Sequence, residues 1–243
     1  MAIDRYTVIA AAPSTVAPRN SEPKTATFFS LESNSSVEFS IEPRESATTQ
    51  GWARYLEGVV SGFARRTEIA SFNAVIASNV PVGAGLSSSA ALEVATATML
   101  ESLTGTKLPP REKALLYQQA EHDFAGVPCG IMDQFTSVFA QPNQLMSLDC
   151  NNLEMEFIPF DSPAVSILVF NSNVKHDLAE GEYALRQSDC KSALKQMHLA
   201  TSWRDVTAQQ LDACQDRLTP TQQKRARHVV TEIQRTQQAA IAI

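Results

Sequence analysis

Val80-Pro-Val-Gly-Ala-Gly-Leu-Ser-Ser-Ser-Ala90 decides the reading of this 243-residue chain. Upstream, Phe72 to Ala77 has the alternation of a half-buried strand, and downstream Leu92, Ala95, Met99 and Leu103 recur at helical spacing, with Gly105 as a natural C-cap. The segment therefore runs from a strand, through a glycine turn, into a helix. Gly83 and Gly85 let the backbone turn tightly and approach a ligand, and Ser87, Ser88 and Ser89 fall at the first helical turn. The backbone N–H groups of that turn have no intrahelical partner, and the helix dipole is positive there, so a phosphate is bound well. The serine hydroxyls add donors and candidate magnesium ligands. The same pattern also fits an ordinary capped helix after a flexible turn. Three better-known loops fail on spelling: there is no lysine for a Walker loop, Ser88 stands where a Rossmann fingerprint needs its third glycine, and Ser89 stands where a nucleophile elbow needs glycine.

Working outward, Tyr6 to Ala12, Phe28 to Leu31 and Val37 to Ile41 read as an early set of strands. Trp52, Tyr55, Leu56, Val59, Val60 and Phe63 form the stripe of an amphipathic helix. Beyond the loop, a second helix starts at Pro109-Pro110 and runs to about Phe124, with proline at its start and Gly126 past its end. A third carries Ile131, Phe135, Val138 and Phe139 on one side. Leu145 to Leu148 and Leu153 to Phe157, separated around Asn151-Asn152, predict a hairpin. Ala164 to Phe170 is expected as the most deeply buried strand. From about Tyr183 the pattern is helical, and Thr219-Pro220 marks the start of the last helix. A shift in composition near Asp161-Ser-Pro163 suggests a domain boundary. The first residues lie almost on a strand and the last helix stops at Ala240-Ile-Ala-Ile243, so both ends read as cut.

An apolar fraction of 44% with 19% charged residues requires a packed fold. The net charge of −6 and the lack of a Lys/Arg block argue against a nucleic-acid partner, which needs clustered cations. No apolar run approaches the roughly 18 to 20 residues that span a bilayer, and Asp4 and Arg5 stand where a signal peptide would be apolar, so no membrane partner and a cytoplasmic location are expected. Cys129, Cys150, Cys190 and Cys214 have no CxxC pairing and no histidine at ligand spacing, so free thiols rather than a zinc site are expected.

At every position the loop Val80 to Ala90 resembles the phosphate-binding motif of the GHMP kinase superfamily. Within it, Gln119-Ala-Glu-His-Asp-Phe-Ala-Gly-Val-Pro-Cys-Gly-Ile-Met-Asp-Gln134, Asn171-Ser-Asn-Val-Lys-His176 and Glu182-Tyr-Ala-Leu-Arg186 are similar to the galactokinases. The resemblance implies an α+β fold of the GHMP kinase type. Residues 1–160 would be an N-terminal ATP-binding domain of the ribosomal-protein-S5-like kind, incomplete at its start. Residues 161–243 would begin a ferredoxin-like C-terminal domain. It implies a phosphate loop of Gly83, Ala84, Gly85, Leu86, Ser87, Ser88 and Ser89, and Trp52 at the adenine. Ser89 and Glu121 would hold magnesium, Asp133 would be the catalytic carboxylate, and Gly130, Asp133 and Tyr183 would lie beside the sugar. On residue pattern alone, Glu121 fits an exposed surface glutamate, Asp133 a solvated helix-start residue, Trp52 a core side chain and Tyr183 a core or surface tyrosine.

The reaction implied is transfer of the ATP γ-phosphate to the C1 hydroxyl of α-D-galactose, with galactose and ATP as partners and a monomer as the full-length form. The family has two further motifs, one that would lie upstream of Met1 and one beyond Ile243, and the chain on its own is expected to turn over little. The alternatives left open are an N-acetylgalactosamine kinase, a non-catalytic sugar- or ATP-binding relative, and an inert gene fragment.

Overall fold

The computed structural model describes residues 1–15, 23–161, 163–171 and 182–243. They form two compact units, one of Met1–Ala140 and Ile167–Asp177, the other of Gln141–Ser166 and Leu178–Ile243.

In the first unit, β1 (Thr7–Pro13), β2 (Thr25–Ser30), β3 (Ser35–Ser40) and β4 (Phe72–Ser78) make a four-stranded sheet in the order β1-β4-β2-β3. Only β2 and β4 run parallel. Their connection includes α1 (Ala53–Ala64), as a parallel pair requires a crossover longer than a hairpin turn. The alternation seen in sequence sets one face of the sheet inward: Ala26, Phe28, Phe39, Phe72, Ala74 and Ile76 are buried. Phe28 meets the ring of Phe72 edge-on at 5.4 Å and stacks on Phe39 at 5.9 Å. Leu56, Val59, Val60 and Phe63 of α1 pack into the same core, each worth roughly 1.5–3 kcal/mol of transfer free energy.

α2 (Ser88–Thr104), α3 (Pro110–Ala120) and α4 (Met132–Phe139) complete the unit. The expected buried face of α2 is corrected. Leu92, Ala95 and Leu103 are only partly buried, while Ala90, Glu93, Thr96, Ala97, Met99 and Leu100 are buried. Its first turns carry apolar or small residues nearly all round, so neighbouring elements rather than a sequence stripe choose the face. Near the predicted end of the second helix the backbone widens into a π-helical turn, Glu121–Ala125, closed by Gly126 at φ 72°. Gly58 of α1 makes that region tight: a Cβ there would stand 2.8 Å from the Ala120 Cβ.

The predicted strand from Ala164 to Phe170 is not formed. Its apolar side chains face outward, with Leu168 74% and Phe170 84% exposed. A strand needs a ladder partner for its backbone, and none of the sheets among the described residues includes this segment. Of the family-like stretch Asn171 to His176, only Asn171 falls within the described residues.

The second unit pairs β5 (Gln144–Asp149) with β6 (Glu154–Pro159), the hairpin expected around Asn151-Asn152. It also holds α5 (Glu182–Met197), α6 (Ala208–Ala213) and α7 (Pro220–Ala242) around Ala193, Met197, Leu211, Leu218, Ala226 and Val230. Thr219 caps α7 in a reciprocal box with Gln222, at the predicted start.

Candidate active site

Gly83 and Gly85 both have φ near +72°, at 73° and 72°, and among the described residues, chain neighbours aside, no atom lies within 4 Å of where a Cβ would stand. Glycine is therefore demanded by the backbone angle, not by crowding. Ser87, the N-cap of α2, is also left-handed, at φ 56° and ψ 45°, and its side chain makes no capping bond among the described residues. A non-glycine residue in that region stores of order 1 kcal/mol of strain. The Ser87 carbonyl accepts the Ala91 amide at 3.1 Å. The amides of Ser88, Ser89 and Ala90 precede the first residue that can bond within the helix. A 17-residue helix thus presents its positive end behind a half-exposed, glycine-hinged loop, an arrangement that receives an anion.

Against that helix end lies a buried polar cluster. Glu121, first residue of the π-helical turn, is 2% exposed and so is not the surface glutamate its pattern allowed. Its carboxylate accepts Gln134 Nε2 at 2.7 Å and Cys129 Sγ at 3.2 Å, and the Ser89 hydroxyl lies near enough to favour its charged form. Both donors are neutral. Burial raises the Glu121 pKa and the charge of Asp133 adds to it, while the hydrogen bonds act the other way. Ser89 and Glu121, the two sequence-predicted magnesium residues, are thus close neighbours. Asp133, in the first turn of α4 and half-buried, is close enough for its charge to act on Glu121 and on Glu93. Gly130 is exposed in the loop leading into α4. That loop is pinned through the Cys129 carbonyl, which accepts Gln118 Nε2 at 3.3 Å and meets His122 Nε2 at 2.9 Å. Burial, then the Glu121 charge, pushes the Cys129 thiol well up. It stays protonated and serves as a donor.

Among the described residues no group of three or more His, Cys, Asp or Glu side chains is arranged to hold a metal on its own. A hydroxyl and a carboxylate side by side at a phosphate-receiving helix end nevertheless suit magnesium. That ion takes one or two protein oxygens and completes its octahedron with water and substrate phosphate.

Trp52 is half-buried at the start of α1 and packs against the core. The loop before it is fastened by Glu57, 1% exposed, whose carboxylate accepts the amides and hydroxyls of Thr48 and Thr49 at 2.7–3.1 Å. Tyr183 lies on α5 in the second unit, 39% exposed. Sequence reasoning missed Glu93, Gln134 and Glu57. For Glu93 a signal existed: a single carboxylate within Ala90-Ala-Leu-Glu-Val-Ala-Thr-Ala97, a helical run with no polar face to carry it.

Residues 54–141 match the model of the GHMP kinases N-terminal domain, and the chain belongs to that kinase superfamily. Galactokinases are among its relatives. It is 43% identical to human galactokinase over 204 residues, which is 84% of this chain and 50% of that protein. It is 38% identical to Thermotoga maritima galactokinase over 208 residues, 85% of this chain and 58% of that one. A crystal structure of Lactococcus lactis galactokinase complexed with galactose superposes with a TM-score of 0.82 at 29% identity, covering 99% of this chain and 63% of the other. The chain thus spans about half the length of the curated relatives it matches.

Proposed function

We propose that this chain carries the ATP-binding and phosphoryl-transfer half of a galactokinase, which moves the γ-phosphate of ATP to the C1 hydroxyl of α-D-galactose. The observation that carries the reading is the closeness of loop and acid. Ser89, in the first turn behind the left-handed Ser87, lies beside the buried Glu121, and Asp133 is near enough for its charge to act on that acid. Relatives named galactokinase, and the neighbour solved with galactose, supply the sugar.

In this reading residues 1–160 form the ATP-binding domain and 161–243 part of the C-terminal domain. Gly83 to Ser89 cradle the phosphates with backbone N–H groups at the positive helix end. Trp52 borders the adenine. Ser89 and Glu121 hold a magnesium ion, which supplies neutralising charge for the phosphate oxygens. Asp133 accepts the proton of the sugar C1 hydroxyl, Gly130 leaves room for the ring, and Tyr183 contacts the sugar. Phosphoryl transfer has a loose transition state, so positioning and charge neutralisation contribute most of the acceleration and proton removal less. The full-length form works in the cytoplasm as a monomer.

The test is phosphorus NMR of MgATP with galactose or N-acetylgalactosamine, using a chimera that adds the flanking segments of the Lactococcus lactis enzyme. Galactose 1-phosphate is expected, with the N-acetylated sugar at least about tenfold slower, as a missing fit of this size gives. Equal rates would shift the assignment to the N-acetylgalactosamine enzyme. Bound ATP with no sugar phosphate would leave a binding protein.

A further inference from the structure

Gln134 stands between two acids, and its geometry states a requirement that the phosphoryl-transfer reading does not use. Its Nε2 donates to Glu121 Oε2 at 2.7 Å and reaches Glu93 Oε2 at 3.5 Å. Glu93 is 0% exposed and Gln134 1%. Two atoms of this pair, Glu93 Oε1 and Gln134 Oε1, are buried without a hydrogen-bond partner among the described residues. Both are acceptors while Glu93 is ionised, so they cannot satisfy each other, and leaving each unmade is worth about 1–3 kcal/mol of destabilisation.

We propose that Glu93 is a positioning residue: as a neutral carboxylic acid it pairs with the side-chain amide of Gln134 and so keeps that amide's N–H directed at Glu121. The two planar groups already meet through Oε2 and Nε2. A proton on Glu93 Oε1 would close the other arm of a cyclic acid–amide pair on Gln134 Oε1, satisfying both orphaned oxygens together. The pair also breaks the near-symmetry of the amide. Without a donor beside its Oε1, nothing distinguishes the N-toward-Glu121 orientation from the reverse, and the reverse sets two oxygens against each other. The surroundings agree. Burial, then the charges of Glu121 and Asp133, hold the Glu93 pKa well above the carboxylate range. The last link, that an oriented Gln134 matters because Glu121 is a metal carboxylate, rests on the galactokinase reading; the acid–amide pair itself does not.

The full 243-residue chain suffices for the test. E93Q replaces the acid O–H donor with an amide N–H, and E93L keeps the volume with no donor. Infrared difference spectra at pH 7 should show a protonated carboxylic carbonyl band, shifted by deuteration, in the parent and not in E93Q. The Gln134 side-chain amide resonance should stay in place in E93Q and move in E93L. In calorimetry E93L should weaken MgATP by about tenfold or more, the usual loss when a support of a metal ligand is removed, and ATP without magnesium hardly at all. E93Q should match the parent. Absence of the carbonyl band, or an unmoved Gln134 resonance in E93L, overturns the proposal. Equal loss of ATP with and without magnesium in E93L would make Glu93 merely structural. A parent that binds no MgATP sinks the galactokinase reading instead, and the infrared and Gln134 signals then decide the pair alone.

Discussion

Glu57→Gln is expected to loosen the approach to Trp52. The carboxylate accepts the amides of Thr48 and Thr49 and both their hydroxyls, at 2.7–3.1 Å, in a site 1% exposed. A glutamine amide keeps one acceptor oxygen and turns an NH2 toward the remaining donors, so two hydrogen bonds to a charged acceptor are lost. At roughly 1.5 kcal/mol each, the low end for such bonds, the loss is about 3 kcal/mol. That corresponds to about 10 °C in Tm for a unit of this size. Burial alone would raise the Glu57 pKa, but the Thr48 and Thr49 hydrogen bonds outweigh it and hold it below its ordinary 4.5. Its stabilisation is therefore complete above pH 4.5 and lost as pH falls through the depressed folded value. Parent and variant melting curves should converge in acid. The chain has two tryptophans, Trp52 and Trp203, so a Trp203→Phe background makes fluorescence report on Trp52 and the first unit alone. A Glu57→Gln variant melting within about 2 °C of the parent at pH 7, less than one hydrogen bond's worth, would refute the argument.

Gly58→Ala should cost about 1–3 kcal/mol, because the new methyl would stand 2.8 Å from the Ala120 Cβ and 3.2 Å from the Ala120 Cα; an unchanged urea midpoint would show that the α1–α3 contact gives way freely. Ser87→Gly should relieve the left-handed strain and raise stability by up to about 1 kcal/mol, measurable as a higher Tm with loop geometry kept. Ser89→Ala and Glu121→Gln, in the chimera, should raise the magnesium requirement and lower rate by about 10²–10³ with little change in galactose KM. Magnesium titrations identical to the parent's would remove both from the metal site.

The sheet was legible because its alternation is local: Phe28, Phe72 and their neighbours announce a buried face without tertiary information. The caps of α7 and the turn at Gly83 and Gly85 were legible for the same reason, since each needs a particular residue type at a particular backbone angle. What escaped depends on packing. Ala164 to Phe170 has the composition of a buried strand, yet no ladder partner lies beside it among the described residues, and composition cannot supply one. The buried face of α2 is chosen by its neighbours, so the lone carboxylate in the run Ala90 to Ala97 could be noticed in sequence but not placed. Gln134 was invisible as a bridge because its two acids come from α2 and the π-helical turn, distant in sequence and joined only by the fold.

The sharpest test of phosphoryl transfer at this loop is Asp133→Asn in the chimera, followed by phosphorus NMR in MgATP and galactose. Asparagine is isosteric and tolerated in a first helical turn, so fold and MgATP affinity should not move. The galactose 1-phosphate signal should grow about 10²–10⁴ times more slowly, the range of a positioned base, with the loss in kcat rather than KM. An Asn variant that keeps more than about a tenth of the parental kcat, outside that range, would contradict Asp133 as the base.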